Sequence, residues 1–239
     1  MIRKLLLGLT CFCTIINAVA QSQNKDVLLS RLCDRFYVHT TWMPDKAGAV
    51  PANGLIAETD HGVILIDTGW DTTQTRALLQ QVQVQLHKPV LLCIISHCHI
   101  DRLGGAAMLQ AQHIKTISTP LTASLAVKDG YVPPVGILPN DTTFTIDGLQ
   151  LTTYYPGAGH AKDNIVVWFP AQQVLFGGCF VKSMEANDLG NIADADLQQW
   201  PISIKKVQER FPEPAWIIPG HQGWSNNEAL EHTLQLLEK

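Results

Sequence analysis

The segment Ser96-His97-Cys98-His99-Ile100-Asp101-Arg102 places two imidazoles and a carboxylate at i, i+2 and i+4. In extended chain alternate side chains point the same way, so His97 and His99 can share one cation. Asp101, in the following turn, can reach that ion or a neighbouring one. Three more donors each follow an apolar run. His160 follows Pro156-Gly157-Ala158-Gly159, Cys179 follows Phe176-Gly177-Gly178, and His221 follows Trp216-Ile217-Ile218-Pro219-Gly220. Glycines ahead of each donor let the backbone turn sharply and come close to a ligand. Strand ends that each deliver a donor are how open α/β folds build sites. Four imidazoles, one carboxylate and one thiol suit two zinc ions, each with room for water.

Strands and turns must carry these donors. Gly54 to Gly69 reads as a hairpin, with Leu55-Ile56-Ala57 and Val63-Ile64-Leu65-Ile66 flanking the turn Asp60-His61-Gly62. Asp71 caps a helix over about Thr72 to Leu86, where Ala77, Leu78, Val82 and Leu86 recur at helical spacing. The apolar run Val90 to Ile95 predicts a strand covered on both faces. Gly104-Gly105 opens a short helix through Leu109, and Thr119-Pro120 starts another with proline in its first turn. From Thr142 the pattern turns strand-rich: Phe144 to Ile146, Leu149 to Tyr155, Ile165 to Phe169 and Val174 to Phe176. A helix over about Leu197 to Phe211, a strand at Trp216 to Ile218 and a last helix capped near Ser225 or Asn226 follow. Two mixed sheets packed face to face, with helices outside, satisfy this order.

Composition agrees with such a fold. The 239 residues are 46% apolar and 16% charged, which excludes a disordered chain, a coiled coil and a collagen-like polymer. Seventeen basic residues against twenty-one acidic ones give a net charge of −4, with no basic excess for nucleic acid. Residues 1–20 read as a signal peptide. Arg3 and Lys4 precede the apolar run Leu5 to Ile16, and Ala18-Val19-Ala20 supplies small residues for cleavage. The expected mature chain is one domain over 21–239 in the periplasm, a monomer with no membrane anchor and a charge of −6, fifteen basic against twenty-one acidic. It keeps Cys33, Cys93, Cys98 and Cys179; the first three read as core thiols. His39, His61, His87, His113 and His232 read as surface or packed histidines.

Taken together, the chain resembles the metallo-β-lactamases, and specifically their B1 subclass, over essentially the whole mature length. The motifs that carry the resemblance are Asn53-Gly54-Leu55, Asp67-Thr68-Gly69-Trp70, His97 to Arg102, Gly157 to His160, Gly177-Gly178-Cys179, Lys182, Gly190-Asn191 and Pro219-Gly220-His221. Most specific is Cys179 with Lys182 three residues later and Asn191 nine beyond. The resemblance implies an α/β fold, the four-layer αβ/βα sandwich, and two zinc ions per chain. It assigns His97, His99 and His160 to the first ion and Asp101, Cys179 and His221 to the second. Zinc-bound hydroxide would attack the amide of penicillins, cephalosporins and carbapenems, giving antibiotic resistance. Asp101 would orient the hydroxide, Asn191 would help hold the developing oxyanion, and Lys182 would pair with the carboxylate these drugs share. Trp42, at the head of a flap through Ala49, and Trp70 would offer apolar cover.

The chain departs from that family at two positions. Ala158 stands where proline is frequent and Ala161 where a hydroxyl residue is common, both supporting the third histidine rather than ligating. Two other readings compete with this one. A glyoxalase-II-like dizinc thioesterase needs a histidine directly after the aspartate, where this chain has Arg102, and a guanidinium cannot ligate zinc. A non-catalytic exported zinc-binding protein would need neither Lys182 nor Asn191.

Overall fold

The structure, a computed structural model, describes residues 27–44, 50–224 and 227–239. The proposed signal segment, the flap from Asp45 to Ala49, and Ser225 and Asn226 lie outside the described residues; the last helix starts at Ala229 with Glu228 at its N-cap, later than the cap expected near Ser225 or Asn226. Alternation along the central strands sets the layers. In β4 (Val63–Ile66), Ile64 and Ile66 face inward and Val63 and Leu65 outward, and all four are buried. β5 (Val90–Ile94) repeats this, with Leu92 and Ile94 inward and Cys93 outward. A strand apolar on both faces must be covered on both, which requires layers on either side of the sheet.

The first sheet runs β1 (Val27–Cys33), β2 (Phe36–Trp42), β3 (Pro51–Glu58), β4, β5, β6 (Lys115–Ser118), β7 (Val135–Gly136). Its first four strands are antiparallel and β4 to β7 are parallel. The second sheet holds β8 (Asp141–Ile146), β9 (Leu149–Tyr154), β10 (Val166–Phe169), β11 (Val174–Gly178) and β12 (Trp216–Pro219), in the order β12-β11-β10-β9-β8. Leu55, Ile66 and Ile94 of the first sheet meet Leu151, Val167 and Phe176 of the second in the central core. Phe36 and Phe169 close it edge to face, with centroids 4.9 Å apart.

Helices cover the outer faces. α1 (Thr72–Leu86), α2 (Ile100–Leu103), α3 (Ala106–Ala111) and α4 (Pro120–Lys128) follow strands of the first sheet, and Leu78, Val82, Leu109 and Ala126 pack on its outer face. α5 (Trp200–Arg210) and α6 (Ala229–Leu237) cover the second sheet through Trp200, Ile204, Val207 and Leu230. The result is the αβ/βα sandwich.

The expected α1 has the observed bounds, and the Asp71 carboxylate accepts from Gln74 N at 2.8 Å, an N-cap. Thr119 caps α4 in the same way. α5 starts at Trp200 rather than Leu197, with Pro201 in its first turn where a missing N–H costs nothing. The sequence pattern gives no sign of β1, β2, β6, β7 or the one-turn α2. Because β10 is antiparallel to both β9 and β11, and β12 is parallel to β11, the C-terminal ends of β9, β11 and β12 lie at one end of their sheet. The C-terminal ends of β4 and β5 meet them there, tied by Asn53 N donating to Gly220 O at 2.8 Å.

Candidate metal centre

Backbone geometry delivers each donor. His97, His99 and Asp101 leave the end of β5 and enter α2, with His99 at its N-cap. Gly178 closes β11 at φ +54, turning the chain so that Cys179 follows. Gly220, just past β12, packs so closely that a Cβ there would lie 2.5 Å from Cys179 N; only glycine lets those two strand ends touch.

At these ends the six donors converge. The rings of His97, His99 and His160 lie 4.7, 5.0 and 5.3 Å apart, centroid to centroid. Asp101, Cys179 and His221 form one group: Cys179 Sγ is 3.4 Å from Asp101 Oδ2 and 3.2 Å from His221 Nε2, and His221 Nε2 is 3.4 Å from Asp101 Oδ2. His97 also groups with His160 and Cys179, and with His99 and Asp101, all ligand atoms of each set within 4.8 Å. The six therefore make one continuous cluster.

Hydrogen bonds on the far side of the rings set which nitrogen faces inward. His221 Nδ1 lies 2.6 Å from Pro51 O, which leaves Nε2 for the cluster. His99 Nε2 lies 3.1 Å from Asp194 Oδ2, which leaves Nδ1, itself 3.2 Å from His160 Nε2. On His160 the buried nitrogen without a partner is Nδ1, on the side of the ring away from His99, whereas on His97 it is Nε2, across the ring from the Nδ1 that lies 3.2 Å from Ser96 Oγ and so on the side of the cluster. An orphaned buried nitrogen is costly, and a cation beside its lone pair relieves that cost. Imidazole, thiol and carboxylate donors with the orphaned His97 nitrogen among them fit zinc, the metal on which this donor chemistry converges.

Electrostatics prepare the donors. Burial pushes His97 and His160 well below the usual imidazole range and holds His221 at about 4, with Arg102 adding to the last. These rings are neutral at pH 7, as ligation requires. Burial raises the Cys179 thiol, so the proton must leave as a metal binds. Burial also works against the Asp101 carboxylate, but Arg102 and His221 overcome it and hold the group below the ordinary carboxylate range.

Arg102 is the residue whose role sequence reasoning missed. It is fully buried, and its Nε and Nη2 donate to Asp101 Oδ2 at 2.9 and 2.7 Å. Nη1 donates to Asn53 O at 2.6 Å, Nη2 to Gly220 O at 2.8 Å, and Nη1 lies 3.5 Å from Asp67 Oδ2. One guanidinium thereby fixes Asp101 and the backbone beside His221. Asp67 in turn accepts from Ser96 N and Ser96 Oγ, both at 2.7 Å, just ahead of His97. Burial lifts the Asp67 carboxyl to about 7 against the pull of Arg102. The motif Asp67-Thr68-Gly69 signals a constrained turn, and Asp67 sits there at φ +64. Its partners lie too far along the chain for spacing to reveal.

Four of the donors, His99, Asp101, His160 and His221, line a cavity of about 810 Å³. Lys182, Asn191, Trp70, Met43, Pro51 and Val181 are among its walls. Asn191 Oδ1 accepts from Ala193 N at 3.1 Å, leaving its amide N–H groups without a protein partner among the described residues. Lys182 is buried, and burial lowers its ammonium from the usual lysine range. Trp70 is buried, with its ring 6.5 Å from that of His221. Trp42 is half-buried at the end of β2, where its carbonyl accepts from Gln74 Nε2 at 2.7 Å; the cavity wall there is Met43. Cys98 turns toward Asp129 and Asp163, with its Sγ 4.0 and 3.9 Å from their carboxylates. The four described cysteines are free thiols.

Comparison with known proteins gives a consistent picture. The model of the metallo-beta-lactamase superfamily matches residues 47–221. The chain is 40% identical over 243 residues to the metallo-beta-lactamase type 2 of Bacillus cereus, covering 98% of this chain and 95% of that protein. It is 36% identical over 217 residues to the type 2 enzyme of Bacteroides fragilis, covering 90% and 87%. Among solved structures, a metallo-beta-lactamase from Pontibacter korlensis superposes with a TM-score of 0.85 at 41% identity, over 89% of this chain and 99% of that one. The metallo-beta-lactamase IND-7 superposes at 0.86 with 34% identity, over 91% and 100%.

Proposed function

This chain belongs to the metallo-β-lactamase superfamily, and from that premise we propose that it opens the β-lactam ring of penicillins, cephalosporins and carbapenems at a two-zinc centre. It is a metal-dependent hydrolase. The observation that carries the reading is the convergence of six donors from four strand ends, with the buried His97 Nε2 orphaned among them, beside a cavity that Lys182 and Asn191 line. His97, His99 and His160 would hold one zinc, and Asp101, Cys179 and His221 the second.

Zinc held by these residues would supply a water-derived nucleophile at neutral pH and Lewis-acid polarisation of the lactam amide. The chain's own residues do the rest. Lys182 pairs with the drug's carboxylate and sets the ring's position. Asn191 donates its free amide N–H groups to the carbonyl oxygen as negative charge grows there. Asp101, kept ionised by Arg102, accepts a hydrogen bond from the attacking water and orients it. Trp70, Met43 and Val181 provide apolar wall that excludes competing water. Overall, water's oxygen joins the carbonyl carbon, the C–N bond breaks, and the nitrogen takes a proton.

The sequence of residues 1–20 supports export, so the acting form in this reading is the periplasmic chain over 21–239, taken as a monomer. Among the described residues no helix is long and apolar enough to cross a membrane. The decisive test is hydrolysis of a chromogenic cephalosporin by zinc-loaded protein, abolished by a chelator and restored by zinc. Cleavage of a glutathione thioester with no β-lactam turnover overturns the reading. Cys179→Ser is expected to lower bound zinc from two ions toward one and to reduce kcat/KM more than about 100-fold, beyond the usual loss from an outer-shell change. Unchanged zinc stoichiometry overturns the ligand assignment.

A further inference from the structure

A buried ammonium needs a partner. Lys182 is only 8% exposed, yet the buried ion pairs of this region belong to Arg102 and His221. The partner that the described residues give its Nζ is the indole of Trp200, 5.2 Å below it at the ring centroid. We propose that Trp200 is a positioning residue for substrate recognition: its indole face holds the Lys182 ammonium where the β-lactam carboxylate docks. This inference rests on the reading of Lys182 as the carboxylate-binding cation.

Trp200 is built to be a rigid platform. It is fully buried as the first residue of α5, and its Nε1–H donates to Phe180 O at 2.9 Å. Phe180 also stacks on it at 6.4 Å, and Phe180 lies two residues before Lys182, so the platform grips the same stretch of chain that carries the ammonium. The ring also meets His160 edge on at 5.9 Å, and a Cβ on Gly159 would come within 3.0 Å of it. Lysine has a long, flexible stem with large rotamer freedom. An ammonium already seated over a ring gives up less of that freedom when substrate arrives, and tighter binding follows. A desolvated cation–π contact is strong enough to select one rotamer. Without the indole, the ammonium is free to turn toward Asp188, which lines the same cavity.

The test compares zinc-loaded wild type, Trp200→Phe, Trp200→Leu and Lys182→Ala on a cephalosporin and on its carboxylate methyl ester. Bound zinc and thermal midpoints are measured alongside. For the free acid, KM is expected to rise about threefold in Trp200→Phe and about tenfold in Trp200→Leu, with kcat within about twofold. For the ester neither variant changes KM, and Trp200→Leu adds nothing in the Lys182→Ala background. Equal effects on acid and ester, or an undiminished effect without Lys182, overturn the positioning role. Should Trp200→Leu fail to fold, Trp200→Phe decides by the same acid–ester contrast. If Lys182→Ala itself leaves the acid's KM unchanged, the underlying carboxylate assignment fails, which is a separate result.

Discussion

The two sheets are tied together by charged residues at both ends of the sandwich, in opposite ways. At the candidate metal centre, Arg102 is sealed from solvent between Asp67 and Asp101 and bonds to carbonyls of both halves, Asn53 O and Gly220 O. At the far end, the β3–β4 turn meets the β8–β9 turn. His61 Nδ1 lies 2.7 Å from Asp147 Oδ1 and Asp60 N donates to Asp147 O at 3.2 Å, while Arg35 Nη2 pairs with Asp60 Oδ1 at 3.1 Å. There the His61 side chain is 85% exposed. The side chains of Arg35, Asp60 and His61 reach water, whereas Arg102 has no exposed surface. The buried tie therefore fixes geometry to the precision that ligands need, and the exposed tie merely closes the sandwich.

The largest effect expected from breaking this contrast is at Arg102. Arg102→Met strands two buried carboxylates and should destabilise the metal-free protein by about 3–5 kcal/mol in denaturant unfolding, with weakened zinc binding. A loss below about 1 kcal/mol would put the two ends on an equal footing. A smaller effect separates two histidines. Burial holds His39 at about 4, below its unfolded value, with its Nε2 3.3 Å from Ile66 O. Its contribution is present above pH 6.5 and is lost as pH falls through 4, because the unfolded chain takes the proton first. Up to about 3 kcal/mol of stability should disappear across that window. The difference between wild type and His39→Gln, measured in a chelator, isolates it. The smallest effect is at His61, where a hydrogen bond to Asp147 raises the imidazole. Its stabilisation is present below its unfolded value and fades as pH rises through the folded one, the opposite sign to His39. His61→Ala should shift the thermal midpoint barely at pH 5 and not at all at pH 8, with the difference erased by high salt.

How much of this could be read from the chain depends on the range of the interaction. α1 is legible to the residue because its cap, Asp71 with Gln74, and its apolar stripe are local. The hairpin and the strands of the second sheet follow from alternation and turn residues. β2 is not legible. His39, Thr40 and Thr41 are polar yet buried, so their strand shows no apolar pattern, and pairing with β1 and β3 is what forms it. α2 is one turn long and starts at Ile100, just past His99, too short to leave a period. Trp70 was expected at the site and lines the cavity, whereas for Trp42 the fold offers its backbone to Gln74 and Met43 to the cavity.

The sequence by itself determined the donor types, their places after apolar runs, the glycines that precede them and the cation three residues beyond Cys179. All of these are properties of short stretches of chain. Only the tertiary structure decided which groups stand behind the donors. Arg102 reaches across 49 residues to Asn53 and 118 to Gly220, and Lys182 reaches Trp200 through the packing of α5 on the second sheet. Such partners are chosen by desolvation. A charge taken out of water must bond to whatever the fold brings within reach, and no local spacing encodes what that will be.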